Sequence, residues 1–397
     1  MTTYYYVQPT DTLFVRGNLA FGDAGEHGSS TMPPPPSLFA GAFRSALLGR
    51  DAGEMSAFLA QGRCDDARLD ACLGTPENPG AFRITWLSLA GLPSPAGGRG
   101  AGGEGISPEA VLPLPADLLR FESGFAPLQP RKPGEFVAAA GHLPQRATLI
   151  SAKQEKPKSG YFLRQAGFAR HLQGQLPEAV QEIETKHLYQ RDPRLGIGLN
   201  AESRSVEEGL IYTTEGFAFS PASSAGTPRP FAGTGFLVGI EGADGLLPEE
   251  GLLRLGGDGR SAQYRRVDFQ PLRVVGVSKQ FRLILQTPAL FSQGWLPDGI
   301  SKEGDEYRLR GSGFTARLVC AALGRREVVS GWDLFNWKPK PAQSAVPAGS
   351  VYWFEDFQGD PGKLAEWVVG GLWGEHADPQ RRAEGYNLAW LAAWPND

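Results

Sequence analysis

Glycine and proline interrupt this sequence at short intervals, and that spacing limits what the chain can fold into. The sequence contains 52 glycines and 32 prolines, together 84 of its 397 residues. Proline removes a backbone donor and glycine weakens the interior of a helix or strand, so both residues favour turns. We therefore expect many short elements. Because a single core stops growing near about 250 to 300 residues, we also expect two domains.

The charge balance gives the chain as a whole no attraction for nucleic acid. Its 39 basic and 43 acidic residues leave a net charge of −4, so any RNA site must be a local patch. The three cysteines, Cys64, Cys72 and Cys320, have the spacing of neither a disulfide framework nor a zinc site. The sequence shows no targeting or membrane-spanning segment, so we expect a cytoplasmic protein that needs no metal or cofactor.

Segments rich in β-favouring residues outnumber helical ones, and this mixture indicates an α+β fold. We place a domain boundary near Pro271, which gives domains at 1–270 and 271–397, and we expect the Gly/Pro-rich stretch 91–177 to be a long irregular surface insertion. Strands are predicted over 4–14, 82–89, 209–219, 235–241, 265–269, 280–287, 314–323, 327–331, 350–355 and 386–394, and helices over 38–48, 178–188 and 363–373.

The first helix gives the sharpest local prediction. Four successive prolines forbid regular structure before it, and Ser37 is predicted to serve at its N-cap. Phe39, Phe43 and Leu47 recur at intervals of four residues, so they should form its buried stripe. Arg44 then lies on the flank of that stripe.

Four segments carry the most distinctive patterns of the sequence. The first is Leu13-Phe-Val-Arg-Gly-Asn-Leu-Ala-Phe-Gly22, and the second runs from Met32 through the prolines to Leu48. The third is Arg194-Leu-Gly-Ile-Gly-Leu-Asn200, which is followed by Glu208-Gly-Leu-Ile-Tyr212. The fourth is the glycine-rich run Leu253-Arg-Leu-Gly-Gly-Asp-Gly-Arg260. In the same order and with the same spacing, these segments resemble the family of the third subunit of Cmr complexes.

This resemblance covers most of the chain outside 91–177 and implies membership of the RAMP superfamily. It implies two ferredoxin-like domains of the RRM type. It also implies a non-catalytic subunit of a type III-B CRISPR effector in antiviral defence, which binds the 5′ handle of the crRNA and docks on the large polymerase-like subunit. In relatives the backbone subunits cut target RNA, so this chain would meet target RNA only indirectly, beside those subunits.

The glycine-rich run and two arginines are the first candidates for RNA contact. Its three glycines would let backbone N–H groups approach a sugar-phosphate chain, and Arg260 would contact a phosphate, although a plain turn between strands has the same pattern. Arg16 and Arg44 would meet beside the first sheet and bind phosphates, unless one of them pairs with an acidic neighbour. The glycines are Gly256, Gly257 and Gly259.

Two further groups complete the candidates. The loop 18–32 carries side chains that would stack on a base and donate to phosphates, or remain solvated: Phe21, His27, Ser29 and Ser30. A local excess of positive charge between 186 and 204 would form a phosphate track: Lys186, Arg191, Arg194 and Arg204.

Two alternatives stay open. The run Gly331-Trp-Asp-Leu-Phe-Asn-Trp-Lys-Pro-Lys-Pro341 has the composition of a base-stacking platform, but aromatics at this density also form cores and subunit contacts. The competing function is a RAMP-type, metal-independent endoribonuclease that processes repeat RNA. It would need a histidine such as His27 as general base, for which the sequence offers no partner.

Overall fold

The computed structural model describes residues 1–15, 27–28, 32–93, 107–134, 142–151, 155–200, 202–219, 230–257, 259–272, 276–375 and 377–394, with backbone alone at 27–28, 199 and 206–212. Elements in these ranges are short, as the glycine and proline content predicts. The helices are α1 (Pro36–Leu48), α2 (Ala52–Gln61), α3 (Ala67–Leu73), α4 (Gln165–Leu172), α5 (Pro361–Val369) and α6 (Pro379–Ala383). No helix of the described ranges is long and apolar enough to cross a membrane.

The first part of the chain builds an eight-stranded antiparallel sheet in the order β10-β9-β4-β3-β13-β1-β15-β14. A separate hairpin of β11 and β12 is joined by β2 in parallel, and β5–β6 and β7–β8 are two-stranded sheets. The strands up to residue 267 are β1 (Thr3–Pro9), β2 (His27–Gly28), β3 (Arg83–Pro93), β4 (Glu109–Pro113), β5 (Leu118–Phe121), β6 (Gly124–Pro127), β7 (Gln129–Arg131), β8 (Arg146–Thr148), β9 (Tyr161–Arg164), β10 (Glu182–Glu184), β11 (Gln190–Leu199), β12 (Val206–Ala218), β13 (Phe231–Glu241), β14 (Glu250–Arg254) and β15 (Ser261–Val267).

The rest of the chain builds a six-stranded antiparallel sheet in the order β17-β18-β19-β24-β16-β25, with two small hairpins, β20–β23 and β21–β22. Mostly antiparallel sheets with few helices make the structure α+β. The strands are β16 (Phe281–Leu285), β17 (Ile300–Glu303), β18 (Glu306–Gly311), β19 (Phe314–Ala322), β20 (Glu327–Val329), β21 (Trp332–Asp333), β22 (Lys338–Pro339), β23 (Gln343–Ala345), β24 (Val351–Gly359) and β25 (Ala389–Ala392).

Helix α1 covers one face of the first sheet through the predicted stripe. Phe39, Phe43 and Leu47 are buried, and the Phe39 ring lies 4.9 Å from that of Phe236 on β13. The helix begins two residues earlier than predicted, with Pro35 and not Ser37 at its N-cap and no side-chain cap. Pro36 therefore occupies the first turn, where its fixed φ suits the helix and its missing N–H costs nothing.

A core shared by the two sheets joins the two parts of the chain. Leu163 on β9 and Phe168 on α4 belong to the same buried cluster as Val319 and Trp353 of the second sheet. The predicted boundary near Pro271 falls between β15 and β16, so each large sheet comes from one side of it. The extent of the domains stays a prediction.

Several segments differ from the sequence-based assignment. Strand β1 ends at Pro9 and not at Phe14, and α2, α3 and α4 were not predicted. Within 91–177, β4 and β9 are strands of the main sheet, and Val111 and Leu163 on them are buried, so these parts are not surface loop. The helix predicted over 178–188 is wrong. It is replaced by two 3₁₀ turns, Ala179–Gln181 and Thr185–His187, on either side of β10. Strand pairing with β9 determines this backbone, and local spacing does not report it.

Candidate nucleic-acid interface

A cleft of about 2130 Å³ separates elements of the first part of the chain from elements of the second. Its first wall, defined as the lining residues up to 257, comes from α1, the segment 185–191 and the end of β14 with the glycine-rich loop. Its second wall, defined as the lining residues from 288 onward, comes from the hairpins β20–β23 and β21–β22 and from α6. Five of the sequence-predicted residues line this cleft: Arg44, Lys186, Arg191, Gly256 and Gly257.

Arg44 lies in the first wall, on the flank of the α1 stripe as predicted. Its Nη1 donates to Gln380 Oε1 on α6 at 3.2 Å, and its guanidinium carbon lies 5.2 Å from the centre of the Phe82 ring. Burial lowers the pKa of the guanidinium, and the carboxylate of Glu384 acts in the opposite direction. An arginine pKa lies so far above neutrality that the side chain remains charged.

The glycine-rich loop is held against the segment that follows β1. Gly257 N–H donates to the Phe14 carbonyl at 2.8 Å, so this N–H is already paired within the chain. Gly256 has φ of 86°, and a Cβ there would lie 2.4 Å from the same carbonyl oxygen. Gly259 has φ of 65°, and a Cβ there would meet no atom within 4 Å. The need for glycine at 256 is therefore explained by packing on Phe14, while Gly259 lies in open space.

Arg194 and Arg260 lie together over the ring of Phe14, outside the residues that line the cleft. Their guanidinium carbons are 5.7 and 5.3 Å from the ring centre. Arg260 pairs with Asp11, and Arg194 pairs with Asp192 at 2.8 Å. Both arginines are thus paired with carboxylates within the chain, which the sequence did not indicate for either of them.

The predicted basic track divides between the cleft and the hairpin β11–β12. Lys186 and Arg191 line the cleft, and Arg191 keeps a largely exposed side chain paired with Glu215 at 2.8 Å. Arg204 is exposed at the far end of the hairpin, with φ of 54°, where its N–H donates to the Asn200 carbonyl. Only the first two share a surface with Arg44.

The aromatic run 331–341 forms the hairpin β21–β22 at the rim of the second wall. Trp332 and Trp337 are 51% and 71% exposed, and their rings meet edge to face at 5.6 Å. Phe335 instead packs on Phe58 of α2, with ring centres 6.4 Å apart. One aromatic therefore anchors the hairpin to the first part of the chain, and the two tryptophans are presented outward rather than buried in a core.

The family of the chain follows from comparison with known proteins. The model of the family described as "CRISPR-associated protein (Cas_Cmr3)" matches residues 5–394. The chain belongs to this family. The resemblance that the sequence segments indicated is thereby confirmed, and no curated protein matches the chain.

Two solved structures are similar to this Cas_Cmr3 family member over most of its length. "Cryo-EM structure of the Type III-B Cmr-beta bound to cognate target RNA" contains a chain with 14% identity and a TM-score of 0.47, covering 97% of this chain and 96% of that one. "Cryo-EM structure of the Type III-B Cmr-beta bound to cognate target RNA and AMPPnP, state 1" gives 14% identity and a TM-score of 0.46, covering 88% and 86%.

Several predicted residues of this Cas_Cmr3 protein lie outside the described residues. They are Arg16, Phe21, Ser29 and Ser30. His27 is described by its backbone alone, which pairs in parallel with Thr213 of β12. In the part of the chain that the structure describes, no group of three or more His, Cys, Asp or Glu side chains could hold a metal ion.

Sequence reasoning missed Arg254, an exposed cation of the first wall. It ends β14 directly after the buried Leu253, so alternation along the strand points it to the opposite face. This alternation could have indicated from the sequence that Arg254 is exposed. Gln380 was also missed. It contacts Arg44 across 336 residues of sequence, and no local pattern indicates such a contact.

Proposed function

We propose that this Cas_Cmr3 family member is the non-catalytic subunit of a type III-B CRISPR effector that binds the 5′ handle of the crRNA in the cleft. The observation that carries the proposal is the charge of the first wall. Four cations line it against the single carboxylate of Glu77: Arg44, Lys186, Arg191 and Arg254. They come from three separate chain segments, so folding assembles a local basic patch on a chain whose net charge is −4.

The fold supports two ferredoxin-like units of the RRM type. In the first sheet the neighbours β3-β13-β1-β15 follow the ferredoxin-like order 2-3-1-4 for strands counted along the chain. In the second sheet β19-β24-β16-β25 follow the same order. The antiparallel pairing of each neighbouring pair agrees with this assignment.

Assembly with the large polymerase-like subunit and the backbone Cmr subunits, in the cytoplasm and for antiviral defence, completes the proposal. Target RNA would be met indirectly, through the guide. The two solved Cmr-beta structures contain target RNA, and that property belongs to those assemblies. For this chain, assembly with these subunits and indirect contact with target RNA are supported by family membership.

The surroundings of His171 leave this side chain no part in RNA cleavage. His171 is buried, and its Nε2 lies 2.9 Å from an Asp117 carboxylate oxygen, and the same carboxylate also pairs with Arg282. A side chain in this position cannot reach an RNA backbone. His171 is therefore part of the packing between the two sheets, and it does not serve the proton transfer that an endoribonuclease requires.

A fluorescence-anisotropy titration tests the proposal. The purified chain, alone and with the large subunit, is titrated with RNA that carries or lacks a 5′ handle derived from the repeat of its own locus, and gel lanes monitor cleavage. We expect binding that prefers the handle, weakens with salt and leaves the RNA intact. Clean cleavage by the isolated chain would establish the endoribonuclease instead, and equal affinity for both RNAs would remove the handle from the proposal.

A further inference from the structure

Arg44 uses only one of its two hydrogen-bonding edges. Nη1 is bonded to Gln380, but Nε and Nη2 are buried and have no hydrogen-bond partner. These two nitrogens point in the same direction from the planar guanidinium and form its side-on edge. A buried donor without an acceptor is unfavourable, and more so when it is charged. The edge is therefore a place where an acceptor is expected to bind.

Other arginines of this chain show what such an edge binds. Arg310 donates from Nε and Nη2 to the two oxygens of Glu303 at 2.6 and 2.7 Å, and Arg120 does the same to Glu182. The side-on edge matches an oxyanion with two oxygens, and such bidentate pairs are among the strongest hydrogen bonds in proteins. Arg44 has the same edge and lines the cleft, yet no carboxylate of the described residues is hydrogen-bonded to it, and Glu384 acts on its charge without forming an ion pair.

The guanidinium is held in place before any ligand arrives. Gln380 fixes one end, and the Phe82 ring lies along it. Gln380 is itself fixed, because its Nε2 donates to the carbonyls of Thr75 and Pro76 at 2.9 Å each. A ligand would therefore meet an edge whose orientation is already set, which reduces the entropy lost on binding.

The neighbouring turn of α1 leaves room for a strand to approach. Ser37, Gly41 and Ser45 recur every four residues and all line the cleft, so this row of the helix carries small side chains beside Arg44. A Cβ at Gly41 would meet no atom within 4 Å. Gly41 and Arg44 are three residues apart and therefore share one face of the helix. The open space at Gly41 thus lies beside the side chain of Arg44.

We infer that Arg44 forms an oxyanion subsite in the first wall, which holds one phosphate group of an RNA strand through Nε and Nη2. The inference rests on the proposed function and adds a single, buried contact point to it. Phosphate is favoured over a protein carboxylate because three more cations line the same wall. Arg254 makes no ion pair with the described residues, and Lys186 and Arg191 keep largely exposed side chains although they pair with Glu184 and Glu215. A row of phosphates would satisfy several cations at once, whereas one carboxylate would satisfy one.

The first test compares handle-RNA affinity for three variants. Arg44→Lys keeps the charge but loses the planar edge, so we expect about 10-fold to 100-fold weaker binding. Gly41→Leu places a bulky side chain in the open space, and we expect it to weaken binding while thermal stability holds or rises, since leucine favours helix over glycine. Arg310→Lys, whose edge is filled by Glu303 outside the cleft, is the matched control and should bind like the wild type.

A second measurement needs no protein variant. Methylphosphonate linkages remove the phosphate charge one position at a time along the handle RNA. With wild-type protein, one linkage should weaken binding by about 10-fold or more, while its neighbours have smaller effects. The same linkage should cost little more in the Arg44→Lys variant, because the contact is already lost there.

The outcomes separate this inference from the proposed function. Handle binding by the wild type that neither Arg44→Lys nor any single methylphosphonate weakens would overturn the subsite and leave handle binding intact. Unchanged RNA affinity of Arg44→Lys together with weaker binding of the large subunit would also overturn it, because a protein carboxylate would then fill the edge. A wild-type protein with no affinity for handle RNA would overturn the proposed function itself.

Discussion

The two walls of the cleft carry opposite charge. The first wall has four cations and one carboxylate, whereas the second wall has four carboxylates and two cations. Lys340 and Arg381, the cations of the second wall, both pair with Glu384, at 2.7 and 3.0 Å. The second wall instead offers aromatic surface at its rim, with Trp332 half exposed. A strand of RNA would accordingly face the first wall with its phosphates and the second with its bases.

The two walls differ because the first sheet places a helix in the cleft, whereas the second sheet places its helix α5 against its own core. In the first sheet α1 connects β1 to β3 and lines the cleft, and β14 with the glycine-rich loop connects β13 to β15. In the second sheet α5 lies between β24 and β25, and its buried Leu364 and Val368 face the core. The second sheet contributes to the cleft through hairpins and α6. The same strand order thus presents a helix face on one side and hairpin turns on the other.

The largest effect is expected at Asp117, where the two parts of the chain are joined and both walls depend on that junction. Its carboxylate pairs with Arg282 of the second sheet and lies 2.9 Å from His171 of α4, and all three side chains are buried. Asp117→Asn leaves the Arg282 charge buried without a counter-charge, so we expect a loss of about 3 to 5 kcal/mol in the free energy of unfolding, measured by urea denaturation.

The exposed Asp356, which pairs with the half-buried Arg317, supplies the control, because Asp356→Asn should cost no more than about 1 kcal/mol. The acid limb of the stability curve gives a second readout. Burial raises the pKa of Asp117, but His171 and Arg282 lower it further, to about 2 from an ordinary 3.8. The ionised form therefore stabilises the fold above about pH 4, and this stabilisation is lost as the pH falls toward 2. An equal loss of unfolding free energy between pH 4 and pH 2 in the wild type and in Asp117→Asn would contradict this role of Asp117.

Gly256→Ala would distort the loop that ends the first wall. The new Cβ would lie 2.4 Å from the Phe14 carbonyl oxygen at a φ of 86°, so we expect a loss of about 2 to 3 kcal/mol in unfolding free energy. Gly259→Ala, with a φ of 65° but open surroundings, should cost only about 1 kcal/mol. Similar losses at both positions would mean that backbone conformation alone, and not contact with Phe14, requires glycine.

Trp332→Ala tests whether the second wall binds bases. Stacking on an exposed aromatic contributes about 1 to 3 kcal/mol per base, so handle-RNA affinity should fall about tenfold in an anisotropy titration. Because no charge is removed, the dependence of affinity on salt should stay the same, and Trp332→Phe should restore most of the binding. Unchanged RNA affinity with weaker binding of the large subunit would instead assign this hairpin to a protein contact.

Arg254→Gln, which removes one cation of the first wall, should have the smallest effect. This cation makes no ion pair with the described residues. Its removal should weaken handle binding by a few-fold and lower the slope of log affinity against log salt by about 1. Lys363→Gln on α5, outside the cleft, should leave both values unchanged. A full salt slope in Arg254→Gln would remove this residue from the phosphate-binding wall.

Local pattern predicted the elements better than it predicted the site. The i, i+4 spacing of Phe39 and Phe43 gave the α1 stripe, because both the pattern and the packing depend on a few neighbouring residues. The strands β4 and β9 were missed because they are short and are stabilised only by pairing with other strands of the sheet. For the same reason the sequence indicated Arg44 but not Gln380, and it could not show that Gly257 N–H is taken by Phe14.

The core shared by the two sheets has a consequence for cooperativity. Leu163 and Phe168 from one side and Val319 and Trp353 from the other bury the same surface, so a fragment ending near residue 270 would expose a large apolar face. The two parts should therefore melt in one calorimetric transition, with a calorimetric enthalpy equal to the van't Hoff enthalpy. Neither part would be a soluble piece by itself, and the cleft between them would form only when the whole chain has folded.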